Sequence, residues 1–167
     1  RTAYDGGERE ERRFLRWGLA WQAHYGTGMV IDDDGNDRYR ADHAGPGFSW
    51  DLGLAALVEL AGNDHYHNPN GQGAEAGFGV LYDAAGDDTY RGGPKGLARE
   101  KINYHPMPEA GANFGFLIDY GGANDFGEES FADGSHRRGA ESGFLILRSD
   151  TPDRASLAPR ASHQATT

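Results

Sequence analysis

Cysteine is absent from this 167-residue chain, which excludes disulfides and thiolate metal sites. Long apolar runs are absent too: none approaches the roughly 18 residues of a membrane-spanning helix, and no signal-peptide pattern is visible. Positive charge is scarce. Sixteen basic against twenty-six acidic residues leave a net charge of -10, which disfavours nucleic acid and anionic membranes as general partners and makes divalent cations the natural complement. The chain opens on Arg1 where a nascent protein has Met, as a processed product or an excised fragment would. Glycine, by contrast, is abundant. Its 26 copies follow no collagen period and point to many tight turns. The length suits a single domain with a real core.

A short phrase recurs four times: an apolar strand, an acid, a Gly-Asp/Asn turn and an aromatic ring. The copies run Met29 to Tyr39, Ala56 to Tyr66, Val80 to Tyr90 and Phe116 to Phe126. In each, a small residue (Gly28, Ala55, Gly79, Gly115) precedes the strand, and an aliphatic (Val30, Leu57, Leu81, Leu117) follows two positions later on the same face. A fifth strand, Gly143 to Leu147, keeps the pattern but carries Leu147 where the others carry an acid. The intervening positions are apolar as well, so both faces of these strands call for burial. Such self-similarity marks one supersecondary unit stacked on its neighbours. The expected fold is all-β: a parallel β-solenoid of about four to five coils over residues 26–147.

Two flanking segments complete the expected organisation. Asp5 to Glu8 has capping-box spacing, and Phe14, Trp17 and Trp21 fall on one helical face. An amphipathic helix over 5–24, within a helical cap spanning 1–25, is therefore expected to cover one open end of the solenoid. Residues 148–167 form a C-terminal extension rich in Ala, Ser, Thr and Pro. It is expected to dock on an adjacent copy, because strands apolar on both faces and an uncapped coil after Leu147 offer unburied surface.

The recurring acids carry the chemistry. Asp32, Glu59, Asp83 and Asp119 end the strands at intervals of 27, 24 and 36 residues. Parallel stacking would place them about 4.8 Å apart, where two carboxylates repel by roughly 3 kcal/mol at an effective dielectric near 20. Asp37, Asp64, Asp88 and Asp125 flank this column, and a bound cation would relieve it. Calcium takes six to eight oxygens in flexible geometry. The expected ligands are Asp32, Asn36, Asp37, Glu59, Asn63, Asp64, Asp83, Asp87, Asp88, Asp119, Asn124 and Asp125, set along one edge of the coils. The fourth copy reads as out of step, with Ala123 at the turn-glycine position. The rings Tyr39, Tyr66, Tyr90 and Phe126 are expected to form a stacked structural ladder.

The turns Gly35-Asn36-Asp37, Gly62-Asn63-Asp64, Ala85-Gly86-Asp87-Asp88-Thr89 and Gly121-Gly122-Ala123-Asn124-Asp125 resemble the G-G-x-G-[ND]-D-x-hydrophobic nonapeptide of repeats-in-toxin proteins. That resemblance implies a parallel β-roll with calcium between successive turns. It departs in period, 24–36 against nine residues, and in the acid that replaces the first family glycine. The function expected is a calcium-binding, non-enzymatic, extracellular structural protein, self-assembling as a filament, surface-layer or adhesive subunit. The competing expectation is a calcium-dependent module that binds or cleaves an acidic polysaccharide through the insertion at 91–108, which holds both lysines, Lys95 and Lys101. His65 and His67 alternate onto one strand face without a third metal ligand. The Gly-rich stretch from Gln72 to Gly79 lacks the Lys-Ser/Thr of a phosphate loop.

Overall fold

A computed structural model describes residues 20–22, 24–41, 43–68, 71–99, 113–139 and 142–150. Residues 1–19, the second half of the 91–108 insertion with Lys101, and the extension beyond residue 150 lie outside the described residues. The first coil consists of β1 (Trp21–Gln22), β2 (Thr27–Asp32) and β3 (Arg38–Arg40). The second has β4 (Phe48–Trp50), β5 (Leu54–Glu59) and β6 (His65–His67), and the third β7 (Gly73–Ala74), β8 (Phe78–Asp83) and β9 (Thr89–Arg91). A fourth turn keeps only its long strand, β10 (Phe114–Tyr120), with single bridges at Ala98 and Asp125 on its other two sides. β11 (Gly134–Arg137) and β12 (Gly143–Arg148) close the described chain.

Each coil therefore has three sides, and like sides stack into three sheets ordered β1-β4-β7, β11-β12-β10-β8-β5-β2 and β3-β6-β9. The result is an all-β parallel solenoid of about four turns. The register is unbroken along the long side: Gly28, Ala55, Gly79, Gly115 and Gly143 are successive partners, as are Val30, Leu57, Leu81, Leu117 and Leu145. Leu57, Leu81, Leu117 and Leu145 are fully buried, each contributing about 1.5–3 kcal/mol. Small residues inside the long strands keep room for the chain on the adjoining side: a Cβ on Gly79 would collide with the Gln72 carbonyl.

Glycines set the coil spacing at the turns. Gly62 and Gly86 have φ of +143° and +153°, a region closed to side chains. A Cβ on Gly62 would strike the Gly35 carbonyl oxygen, and one on Gly86 the Gly62 oxygen. A second glycine column, Gly47, Gly71 and Gly96, lies at φ of +68°, +62° and +63° against the long strand of the following coil.

Two expectations are corrected. The helix over 5–24 does not reach its stated end: Trp21–Gln22 is a strand, and Ala20, His24 and Tyr25 take positive φ, which no helix tolerates. The period of Phe14, Trp17 and Trp21 misled because Trp21 belongs to the first coil, paired in parallel with Phe48. The C-terminal coil is not open either. β11 folds back antiparallel on β12, the one antiparallel pair among the described strands, and the Phe131 ring meets Phe126 edge-on at 5.3 Å. Among the described residues the open end is the first coil, where β2 has one neighbour and Met29 and Ile31 are 58% and 61% exposed.

Candidate metal centre

Side chains alternate along a strand, so the residue two beyond a core aliphatic also points inward. That places Asp32, Glu59, Asp83 and Asp119 inside the solenoid, in register with one another and then with Leu147. All four acids are buried, the last three completely. They stand inside a corner of the coils instead of along an outer edge. Five residues further on in each copy comes the turn position: Asp37, Asp64, Asp88 and Asn124, with the three carboxylates at most 4% exposed. Seven carboxylates thus share one buried corner. The only buried base among the described residues, Lys95, is engaged elsewhere, 2.8 Å from Glu129.

The aromatic ladder supplies the donors facing this column. Tyr39, Tyr66, Tyr90 and Phe126 stack with ring centroids 4.9–5.3 Å apart and planes within 11°. Each tyrosine points at the strand acid of the next coil. Tyr39 Oη donates to Glu59 Oε2 at 2.5 Å, and Tyr66 Oη to Asp83 Oδ2 at 2.6 Å. Tyr90 faces Asp119 in the same way, near enough for the acid to raise the phenol and the phenol to lower the acid, though the contact is looser than in the other two coils. In the fourth turn the ring becomes Phe126, and the next coil carries Leu147 at the acid position. The hydroxyl disappears where the acid does.

Two side-chain-to-backbone ladders run through the turns in opposite directions. On the outside, Asn36 Oδ1 accepts the Asn63 N–H at 2.8 Å, Asn63 Oδ1 the Asp87 N–H at 3.0 Å, and Asp87 Oδ1 the Ala123 N–H at 2.7 Å. On the inside the order reverses. The Asp37 N–H donates to Asp64 Oδ1 at 2.6 Å, the Asp64 N–H to Asp88 Oδ1 at 2.7 Å, and the Asp88 N–H to Asn124 Oδ1 at 2.8 Å. Asn36, Asn63 and Asp87 are thereby placed on the solvent side of the turn, and Asp37, Asp64 and Asp88 on the lumen side.

The fourth copy is in step after all. Asp125 pairs with Thr89, so Asn124 occupies the Asp88 position, Ala123 the Asp87 position and Gly122 (φ +71°) the turn-glycine position. Asp125 lies outside the column, exposed and ion-paired with Arg91. The misreading came from matching Asn-Asp pairs by eye; counting five residues from each strand acid finds Asn124 directly.

Two clusters bring three carboxylate oxygens within 4.8 Å of one another: Asp32, Asp37 and Glu59, and Asp64, Asp83 and Asp88. Burial pushes Glu59 and Asp64 up to about 7 and also raises Asp83 and Asp88, with neighbouring carboxylates adding to the rise in Glu59, Asp64 and Asp83. Asp119 is pushed up to about 7, again chiefly by burial. The phenols of Tyr39 and Tyr66 are raised far above their ordinary value, first by burial and then by the facing acids, so they remain donors. Asp37 Oδ2, Glu59 Oε1 and Asp88 Oδ2 are buried with no hydrogen-bond partner. A buried carboxylate oxygen left unpaired is costly, and these three belong to the two clusters. Oxygen-only donors suit a hard cation. With no two of its three oxygens more than 4.8 Å apart, each cluster is compact enough for one cation to touch all three.

Comparison with models of known protein families, with curated proteins and with solved structures finds no match for this chain. The fold and its buried acidic clusters define the class: a tandem-repeat parallel β-solenoid with candidate metal sites inside its coils. No helix among the described residues is long and apolar enough to cross a membrane.

Proposed function

We propose that this chain is a calcium-stabilised, non-catalytic structural module whose ions sit inside the solenoid, between successive coils. The observation that carries the reading is the set of partnerless, buried oxygens on Asp37, Glu59 and Asp88, within two three-carboxylate clusters that no buried base neutralises. Asp32, Asp37 and Glu59 would hold one ion, and Asp64, Asp83 and Asp88 the other. Recurrence of buried acids at the same strand and turn positions from coil to coil, sealed from substrates, suits structural ions better than a single catalytic pair. We further propose an extracellular place, as an adhesive or assembling subunit, where millimolar calcium would keep such sites filled. The polysaccharide reading draws less support: in the 470 Å³ cleft beside the insertion, Arg91 is paired with Asp125 and Lys95 with Glu129.

The test is calorimetric. A ligand that binds only the folded state raises its stability, so millimolar calcium should raise Tm over that in excess chelator at pH 8. Identical melting in calcium and in chelator rejects the ion.

A further inference from the structure

The acid column does not simply fade out; it ends on a specific exchange. The first cluster joins the turn acid Asp37 to two strand acids, Asp32 and Glu59; that of the third coil is built from the turn acid of the preceding coil, Asp64, the strand acid, Asp83, and the coil's own turn acid, Asp88. The same three positions one coil later are Asp88, Asp119 and Asn124. Only the last differs, and by one atom: an amide nitrogen replaces a carboxylate oxygen. Asn124 Nδ2 donates to Asp119 Oδ1 at 2.7 Å and to the Gly121 carbonyl at 3.0 Å, while Asn124 Oδ1 still accepts the Asp88 N–H. The rung of the inner ladder is kept and the third carboxylate is lost. The amide N–H satisfies Asp119 Oδ1 and presents a donor, not a third carboxylate, to the space between Asp88 and Asp119. Past this point Phe126 has no hydroxyl and Leu147 no charge, so nothing polar continues the file.

We propose that Asn124 is the residue that terminates the ion file, that the native chain accordingly binds two calcium ions, and that an acid at position 124 opens a third site on Asp88 and Asp119. This rests on the calcium reading above. It assigns to Asn124 a role opposite to that of a ligand: its amide donates to Asp119 where an acid would complete a third carboxylate cluster.

The experiment measures bound calcium per chain on the full-length protein, loaded with calcium chloride and freed of excess, by native mass spectrometry and by elemental analysis. The native chain should carry two ions and Asn124→Asp three, with the variant melting below the native protein in chelator and recovering in calcium. Asp119→Asn, which removes the fourth-turn charge, should keep two ions, whereas Asp83→Asn should drop to one. An Asn124→Asp protein that folds in calcium but still holds two ions overturns the proposal. So does loss of an ion in Asp119→Asn, a readout that decides the matter even if Asn124→Asp does not fold. A native chain that binds no calcium at all rejects instead the reading beneath it.

Discussion

Tyr90 and Phe126 stack on each other at 4.9 Å and differ by one oxygen. Whether a ring in this ladder carries a hydroxyl follows what the next coil presents: acids at Glu59, Asp83 and Asp119, then Leu147. Two opposite substitutions test that rule. Tyr66→Phe deletes the 2.6 Å donor to Asp83 and should cost about 1–3 kcal/mol, since a buried acceptor loses its partner. Phe126→Tyr adds a hydroxyl aimed toward the Leu147 position and should cost a similar amount by burying it unpaired. Urea denaturation with calcium present reads both; stabilisation by Phe126→Tyr would contradict the matching of rings to acids. The turn glycines set a separate limit. Gly62→Ala combines a φ of +143° with a collision against the Gly35 carbonyl oxygen, so its cost should exceed the roughly 1–3 kcal/mol of left-handed strain alone. Loss of cooperative melting is the expected result, and a variant that melts like the native protein would show that the coils need not approach this closely.

At the scale of the element, the long strand with its acid-bearing corner has a defined dependence on pH. The carboxyls of Glu59 and Asp64 rise to about 7 from ordinary values of 4.5 and 3.8, chiefly through burial. A raised carboxyl means that the folded chain holds protons the unfolded chain has released. The stability these acids contribute without metal is therefore fully present below the ordinary carboxylate range and is lost as pH climbs through about 4 to 7. Each unit of rise corresponds to about 1.4 kcal/mol, so the loss is of order 3 kcal/mol for Glu59 alone. In chelator, Tm should drop between pH 5 and pH 8; in millimolar calcium, ions take the place of protons and the drop should largely vanish. Parallel Tm–pH curves in the two conditions would mean that the clusters ionise without help from a cation. This corner was partly legible beforehand. The recurrence of an acid two residues after a core aliphatic determined the register from Asp32 to Leu147, and the period of two already places Val30 and Asp32 on one face. The third side of the coil was hidden, because Phe48-Ser49, Gln72-Gly73 and Leu97-Ala98 stack without resembling one another. Only Gly47, Gly71 and Gly96, each required by close approach to the next long strand, betray its repeat. The terminating role of Asn124 was invisible as well, since which way an amide points is decided by its neighbours in three dimensions.

The whole molecule has two unlike ends and one apolar outer wall. One end is finished by β11, antiparallel on β12, and by Phe131 against Phe126. The other presents β2 with an unpaired edge among the described residues and Tyr25, Met29 and Ile31 exposed by 69%, 58% and 61%. The wall between them is the outer face of the six-stranded sheet, where Phe78, Phe116 and Phe144 form a ladder of rings 5.6 and 5.8 Å apart. An unpaired, apolar strand edge is a template for pairing with another chain, and the finished opposite end disfavours open head-to-tail growth. Association through the first coil of two copies, like end to like end, is the contact that closes on itself. Sedimentation of the full chain in millimolar calcium should accordingly show a dimer, and Met29→Lys with Ile31→Lys should give a folded monomer whose Tm no longer rises with protein concentration, because both side chains point to solvent within one copy. A native chain that stays monomeric at high concentration defeats the assembly idea. If the double variant instead lowers Tm while the native protein is a monomer, the exposed edge is covered from within the same chain, and the first coil is an internal seam instead of a docking surface.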